Sequence, residues 1–136
     1  MKTAIDSSVL LDVLTADPQF GEASQLALRE AYDKGALVVC DVVWAEVRAA
    51  FDDDAEFGGS MAEMGIHFDP LQSESAALAG AMWKMWRRRS RSRRERVVAD
   101  FLVGAHALHQ ADVLLTRDRG FYESEFKGLR LVDPTS

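Results

Sequence analysis

Five short strand-like runs punctuate the chain: "TAI" at residues 3–5, "ALVVC" at 36–40, "IHFDP" at 66–70, "DVLLT" at 112–116 and "LRLV" at 129–132. Each is too short for a helix, and between them lie segments whose apolar residues recur three and four apart, the period of an amphipathic helix. Continuous apolar strands alternating with helices are strands covered on both faces. The pattern therefore predicts an α/β fold, a three-layer α/β/α sandwich around a mostly parallel central sheet of about five strands. No repeat or linker interrupts residues 1–136, which read as one domain able to bury about two-thirds of the surface of its unfolded chain.

Local signals place the helices. "SSVLLDVL" has helical character directly after the first strand. Asp17-Pro18 offers an N-cap and a first-turn proline for a helix running to Lys34, with Gly35 beyond its end. Asp41 is placed to cap "VVWAEVRAAF". "DDDAEFGGS", residues 52–60, reads as an acidic loop, followed by a short helical piece at 61–64. Ser73 opens a helix through "SAALAGAMWKMWRR", and Ser92-Arg93-Arg94-Glu95 matches a capping box that starts the last long helix at Arg93 and carries it to about Ala111.

The single Cys40 has no partner for an internal bridge and reads as a buried residue in a reduced cytoplasm. The N-terminal "MKTAIDSSVL" has no apolar core before its first acid, and no run approaches 18 apolar residues, so a soluble, cytoplasmic protein without a membrane segment is expected.

Four carboxylates do not suit a purely structural role. In a parallel sheet, sites form at the carboxyl ends of the strands. Asp6 follows the first strand directly, Asp118 follows the fourth, and Glu46 lies about one turn into the helix after the second, on a face with Val42, Val43, Ala49 and Ala50. Asp100 shares an apolar stripe with Val97, Phe101, Gly104 and Leu108. The structural alternatives are turn-capping for Asp6 and Asp118, and a pair with Arg96 for Asp100. Like charges about 4 Å apart repel by roughly 1 kcal/mol in water and about 4 kcal/mol at an effective dielectric near 20, so four acids gathered at one edge call for a cation. Hard oxygen donors favour Mg²⁺ or Mn²⁺. Zinc is disfavoured, because His67, His106 and His109 lack the spacing of a zinc site.

The stretches "AIDSSVLLD", "VVWAEV", "RVVADFLVGAHAL" and "LLTRDRGF" resemble, in order, the four acidic motifs of the PIN-domain nucleases, and within them those of VapC-type toxins of toxin–antitoxin pairs. The resemblance covers nearly the whole chain. By position it implies that Asp6, Glu46, Asp100 and Asp118 bind the metal and carry catalysis. Ser8 then matches the small polar residue supporting the first acid, and Thr116 the hydroxyl preceding the last. It further implies an RNA substrate, a homodimer and a small VapB-type antitoxin covering the site.

The net charge of −6 hides an uneven distribution: residues 87–96 hold seven Arg and one Glu, and the rest of the chain has nine basic and 21 acidic residues. Such a strip can follow a phosphate backbone even on an acidic protein. Arg93, Arg94 and Arg96 fall in a first helical turn, where cations oppose the helix dipole by about 0.3–1 kcal/mol each, so helix stability does not account for them. Arg87, Arg88, Arg89, Arg91, Arg93, Arg94 and Arg96 are accordingly candidates for RNA binding, with a solvated charge run as the alternative. Trp83 and Trp86 would suit base stacking, a core stripe with Leu78 and Met82, or a dimer interface.

The sequence thus points to a Mg²⁺- or Mn²⁺-dependent endoribonuclease, with a non-catalytic RNA-binding module of the same fold as its rival. A phosphoaspartate receiver is disfavoured, since "IDSS" and "LVDP" lack its acid pair and lysine.

Overall fold

The computed structural model describes residues 1–90 and 97–136. Strands β1 (Lys2–Ile5), β2 (Ala36–Val39), β3 (Ile66–Phe68), β4 (Val113–Leu115) and β5 (Leu131–Val132) form one sheet in the order β3-β2-β1-β4-β5, with every pairing parallel. Among the described residues the sheet is flanked by α1 (Ser7–Leu14), α2 (Gly21–Lys34), α3 (Asp41–Arg48), α4 (Asp54–Glu63), α5 (Ser73–Arg89), α6 (Val97–Gln110) and α7 (Arg119–Glu125). The central strands are buried along nearly their whole length, whereas the edge strands β3 and β5 are more open, which is why the inner runs read as continuously apolar. The anticipated α/β/α sandwich stands.

The strand order fixes where a site can form. The chain builds β1, β2 and β3 outward in one direction and then places β4 and β5 on the other side of β1. Helices leaving β1 and β4 therefore diverge, and a crevice opens at their carboxyl ends, the topological switch point of the sheet. Ile5 pairs with Leu115, and the Asp6 amide prolongs that ladder by donating to the Leu115 carbonyl at 2.9 Å. On the sheet pack Val9 and Leu10 of α1, Val43 and Val47 of α3, and Phe101 and Val103 of α6, all buried.

Several local expectations are corrected. The helix expected from Pro18 begins at Gly21. The Asp17 carboxylate instead closes a turn, accepting from the Gln19 and Phe20 amides at 2.9 and 2.8 Å, and Phe20 is held beneath the Arg117 guanidinium, 4.0 Å from its ring centroid. Gly35 does follow that helix, at φ 153°, where an added Cβ would overlap the Met1 backbone. Asp41 is the first residue of α3 and not its cap, because its carboxylate reaches across to the Leu71 amide at 2.7 Å.

Residues 52–60 are largely helix and not loop. Asp53 caps α4 through the Glu56 amide at 2.7 Å, the acids of its first turn complement the helix dipole, and Phe57 and Met61, four residues apart, are buried. These terms offset the roughly 1 kcal/mol that each glycine costs in a helix. Helix α7 was not anticipated; it is held by buried Tyr122, which packs on Phe126, and Phe126 in turn meets Phe101. The Ser92–Glu95 capping box, the helix start at Arg93 and the Arg96–Asp100 pair lie outside the described residues, as do Arg91, Arg94 and their contacts. Among the described residues, no helix is long and apolar enough to cross a membrane.

Candidate functional site

Thr116 is the centre of the crevice between β1 and β4. It is fully buried, and its hydroxyl donates to Asp6 Oδ2 at 2.8 Å while accepting from the Asp118 amide at 3.0 Å. The other carboxylate oxygen of Asp6 accepts from the Ser7 amide at 2.8 Å, so Asp6 caps α1 as the structural alternative foresaw. A buried carboxylate, 2% exposed, is in this way held at both oxygens. Asp118 occupies the N-cap position of α7 but makes no side-chain cap bond, so turn-capping does not explain that residue.

Glu46 and Asp100 arrive on helices that pack together: α3 rests on α1 and on α6, and α6 also crosses β1. Asp100 is 1% exposed, the most buried of the four acids. Glu46 is half-buried, and the neighbours anticipated for it are only partly right. The buried face of α3 is Val43 with Val47, whereas Ala49 and Ala50 lie exposed past the helix end.

Whether these residues suit a divalent cation can be judged from the donors. They are hard oxygens at the sheet's carboxyl edge, with no cysteine or histidine among them. Among the described residues no three His, Cys, Asp or Glu side chains converge into a ready ligand set. Hard oxygen donors suit Mg²⁺, which keeps most of its waters and takes one or two carboxylates directly. Ser8 adds a second observation. Its hydroxyl, two residues after Asp6, is buried with no hydrogen-bond partner among the described residues, where a polar atom ordinarily has one. Ser8 therefore does not support Asp6 by a direct bond; Ser7 and Thr116 do that. The donor set fits a hydrated hard cation.

The histidines belong elsewhere. His106 is buried and bonded to Asp69 at 2.9 Å, His109 lies 3.3 Å from the Ser75 hydroxyl, and His67 is exposed. Asp112, at the start of β4, accepts from the Lys2 amide at 2.7 Å at the opposite edge of the sheet.

Two paired charged residues between α1 and the segment after β4 were not anticipated. Asp12 of α1, 4% exposed, receives Arg117 Nε at 2.6 Å on Oδ2 and Arg117 Nη2 at 2.9 Å on Oδ1, and the Ser24 hydroxyl donates to Oδ2 at 2.7 Å. The Asp12 bonds raise the guanidinium's already high pKa. A signal was present, since Asp12 interrupts the apolar "SSVLLDVL" much as Asp100 interrupts its own stripe.

Of the arginine strip, Arg87, Arg88 and Arg89 are exposed at the end of α5. Arg87 lies over the Trp83 ring at 4.4 Å, and Arg89 pairs with Glu125 of α7. Trp83 and Trp86 are half-buried against the core, Trp86 meeting Phe101 edge-on at a centroid distance of 6.4 Å, so both contribute to packing.

The fold and its acid-bearing switch point define the class. Residues 3–127 match the family model of the PIN domain, and the chain belongs to that family. Among solved structures it is similar to a chain of VapBC2 from Rickettsia felis bound to a DNA fragment from their promoter, at 12% identity and a TM-score of 0.73, over 98% of both chains. It is also similar to a chain of VapBC-1 from nontypeable Haemophilus influenzae, at 14% identity and a TM-score of 0.72, over the whole of both chains. A third likeness, to DNA-bound VapBC from Salmonella typhimurium, has 13% identity and a TM-score of 0.71, over 98% of both chains. At such identities the likeness is one of fold. No curated protein sequence matches the chain. The PIN family and the VapC-like fold read from the sequence both stand.

Proposed function

We propose that this protein is a Mg²⁺- or Mn²⁺-dependent endoribonuclease, the toxin of a type II toxin–antitoxin pair. The observation that carries the reading is the Thr116 hydroxyl joining Asp6 and the Asp118 turn at the switch point of a PIN fold, a family whose members are in general nucleases. Asp6, Glu46, Asp100 and Asp118 are the residues that hold the metal, with Thr116 and Ser8 in support. When bound, the metal supplies an activated water and offsets charge building on the attacked phosphate.

The chain's own residues do the rest. Thr116 and the Ser7 amide hold Asp6 in one orientation, so little reorganisation is needed when the metal and substrate arrive. The strip from Arg87 to Arg96 binds the RNA backbone and offsets the repulsion that an acidic site would exert on phosphate. The likeness to chains of VapBC complexes supports a VapB-type antitoxin as partner. A homodimeric, cytoplasmic toxin in a single domain completes the proposal.

A non-catalytic RNA-binding module of the same fold is the alternative. Incubation of the protein with single-stranded RNA and Mg²⁺ or Mn²⁺ separates the two, with EDTA, Asp6→Asn and Asp100→Asn as controls. Cleavage that requires metal and both acids is expected. RNA binding without metal-dependent cleavage would select the alternative.

A further inference from the structure

Thr116, Arg117 and Asp118 are consecutive, yet their side chains go to different anchors. Thr116 is bonded to Asp6 at the start of α1, and Arg117 to Asp12, six residues further along. The segment leaving β4 is therefore attached to α1 at two points. One attachment would leave the segment free to pivot about Thr116; the second removes that freedom.

We infer that Arg117, clamped by Asp12, is a positioning residue that fixes the turn carrying Asp118 and so the direction in which the Asp118 carboxylate enters the crevice. The role in catalysis rests on the metal-dependent reading above; the hold on the turn does not.

Several features favour positioning over a plain stability brace or a substrate contact. Nε and Nη2 of Arg117 are both committed to Asp12, and the guanidinium face lies on Phe20, so these groups are not free to receive a phosphate. Bidentate geometry fixes direction as well as distance, which a single point charge does not. Replacing a buried ion pair by packed apolar residues is often neutral or stabilising, so stability alone gives little reason to keep one here. Asp118 itself has φ −97° and ψ 52°, outside the helical basin, as the residue that precedes α7.

The test uses Arg117→Lys, which keeps the charge but not the fork, and Asp12→Asn, which keeps the shape but not the charge. In the metal-free protein, hydrogen exchange of the Asp118 amide, bonded to Thr116 Oγ1, is compared with that of Leu114 in the sheet. Each variant is expected to speed exchange at Asp118 about tenfold more than at Leu114, whose exchange reports any loss of overall stability. Titration with Mn²⁺ is then expected to show affinity lower by about tenfold, the lower end of what outer ligand-supporting contacts typically contribute.

Unchanged exchange at Asp118 in both variants overturns the inference, whatever the metal does. Faster exchange with unaltered Mn²⁺ affinity overturns the positioning role and leaves a local brace. If the unsubstituted protein fails to bind Mn²⁺ while the exchange effect is present, the hold on Asp118 is upheld and the nuclease reading falls.

Discussion

The Thr116 hydroxyl lies 2.8 Å from Asp6 Oδ2, so that two residues 110 positions apart in the chain form one buried polar unit. Each needs the other. Asp6, nearly devoid of solvent, requires a donor for its second oxygen, and Thr116, between a strand and a turn, has its hydroxyl oriented by donating one bond and accepting another. The pair ties the exit of β1 to the exit of β4, where the sheet's topology opens a crevice.

Thr116→Val removes the hydroxyl at nearly constant shape. It leaves a buried carboxylate oxygen without its donor, so a loss of about 1–3 kcal/mol in stability is expected. RNA cleavage should fall by about 10–100-fold, with Thr116→Ser retaining most of both. Urea melts and single-turnover cleavage rates check the two effects separately.

Breaking the Asp12–Arg117 pair strands a charge in a site that is largely buried on the Asp12 side. Arg117→Ala, which leaves the buried Asp12 carboxylate uncompensated, is expected to cost about 3–5 kcal/mol, and Asp12→Ala less, because the Arg117 side chain left behind is 26% exposed. The two losses should not add, since the second substitution removes the stranded partner. A double-mutant cycle by chemical denaturation measures the coupling, and strict additivity would count against a direct pair.

Gly104 faces the Phe126 ring so closely that an added Cβ would overlap it. Gly104→Ala should destabilise by about 1–3 kcal/mol through overpacking of α6 against the segment after α7. Phe126→Leu in the same chain should recover part of the loss. Thermal denaturation of the single and double variants decides this, and a neutral Gly104→Ala would show that the ring yields freely.

Burial pushes the Cys40 thiol above its ordinary value of 9.0, with the Val43 and Val42 amides partly opposing. The folded state then keeps its proton to higher pH than the unfolded chain. The associated stability is fully present below the ordinary thiol value and is lost as pH rises through the raised one. Wild-type melting temperature should consequently fall more steeply than that of Cys40→Ala as pH rises above 9.0. Alkylation near pH 8 should proceed only at the rate of unfolding.

Neutralising Arg87 and Arg88 should weaken RNA binding at all sequences alike and flatten its salt dependence. The slope of log K against log salt should drop by about 0.7 for each phosphate that is no longer neutralised. Arg29→Gln, on the exposed side of α2, is the control. Equal slopes in all three variants would remove the described arginines from the RNA-binding surface.

Much of the fold was legible because it depends on short-range patterning. Runs such as "ALVVC" and the "VLL" of residues 113–115 are apolar throughout, as suits strands covered on both faces, and that is how β2 and β4 are buried. Asp100 stood out because an acid on an apolar stripe is costly, and it proves to be almost wholly buried. Residues 52–60 misled because paired glycines outweighed a quieter signal, Asp53 with Glu56 three residues on, which is the start of a capped helix. Helix α7 was missed for a related reason: seven residues are too few to show a period, and burial of Tyr122 holds it in place.

What the sequence determined by itself was the kind of protein: alternating strands and helices, acids at strand ends, and an order of motifs that belongs to the PIN family. Those features are local, and local propensity and spacing carry them. The tertiary structure alone decided which polar groups meet. It joined Asp6 to Thr116 and sent Arg117 to Asp12 and not outward. Each of those choices follows from burial, which obliges every polar group removed from water to find a partner, wherever in the chain that partner lies.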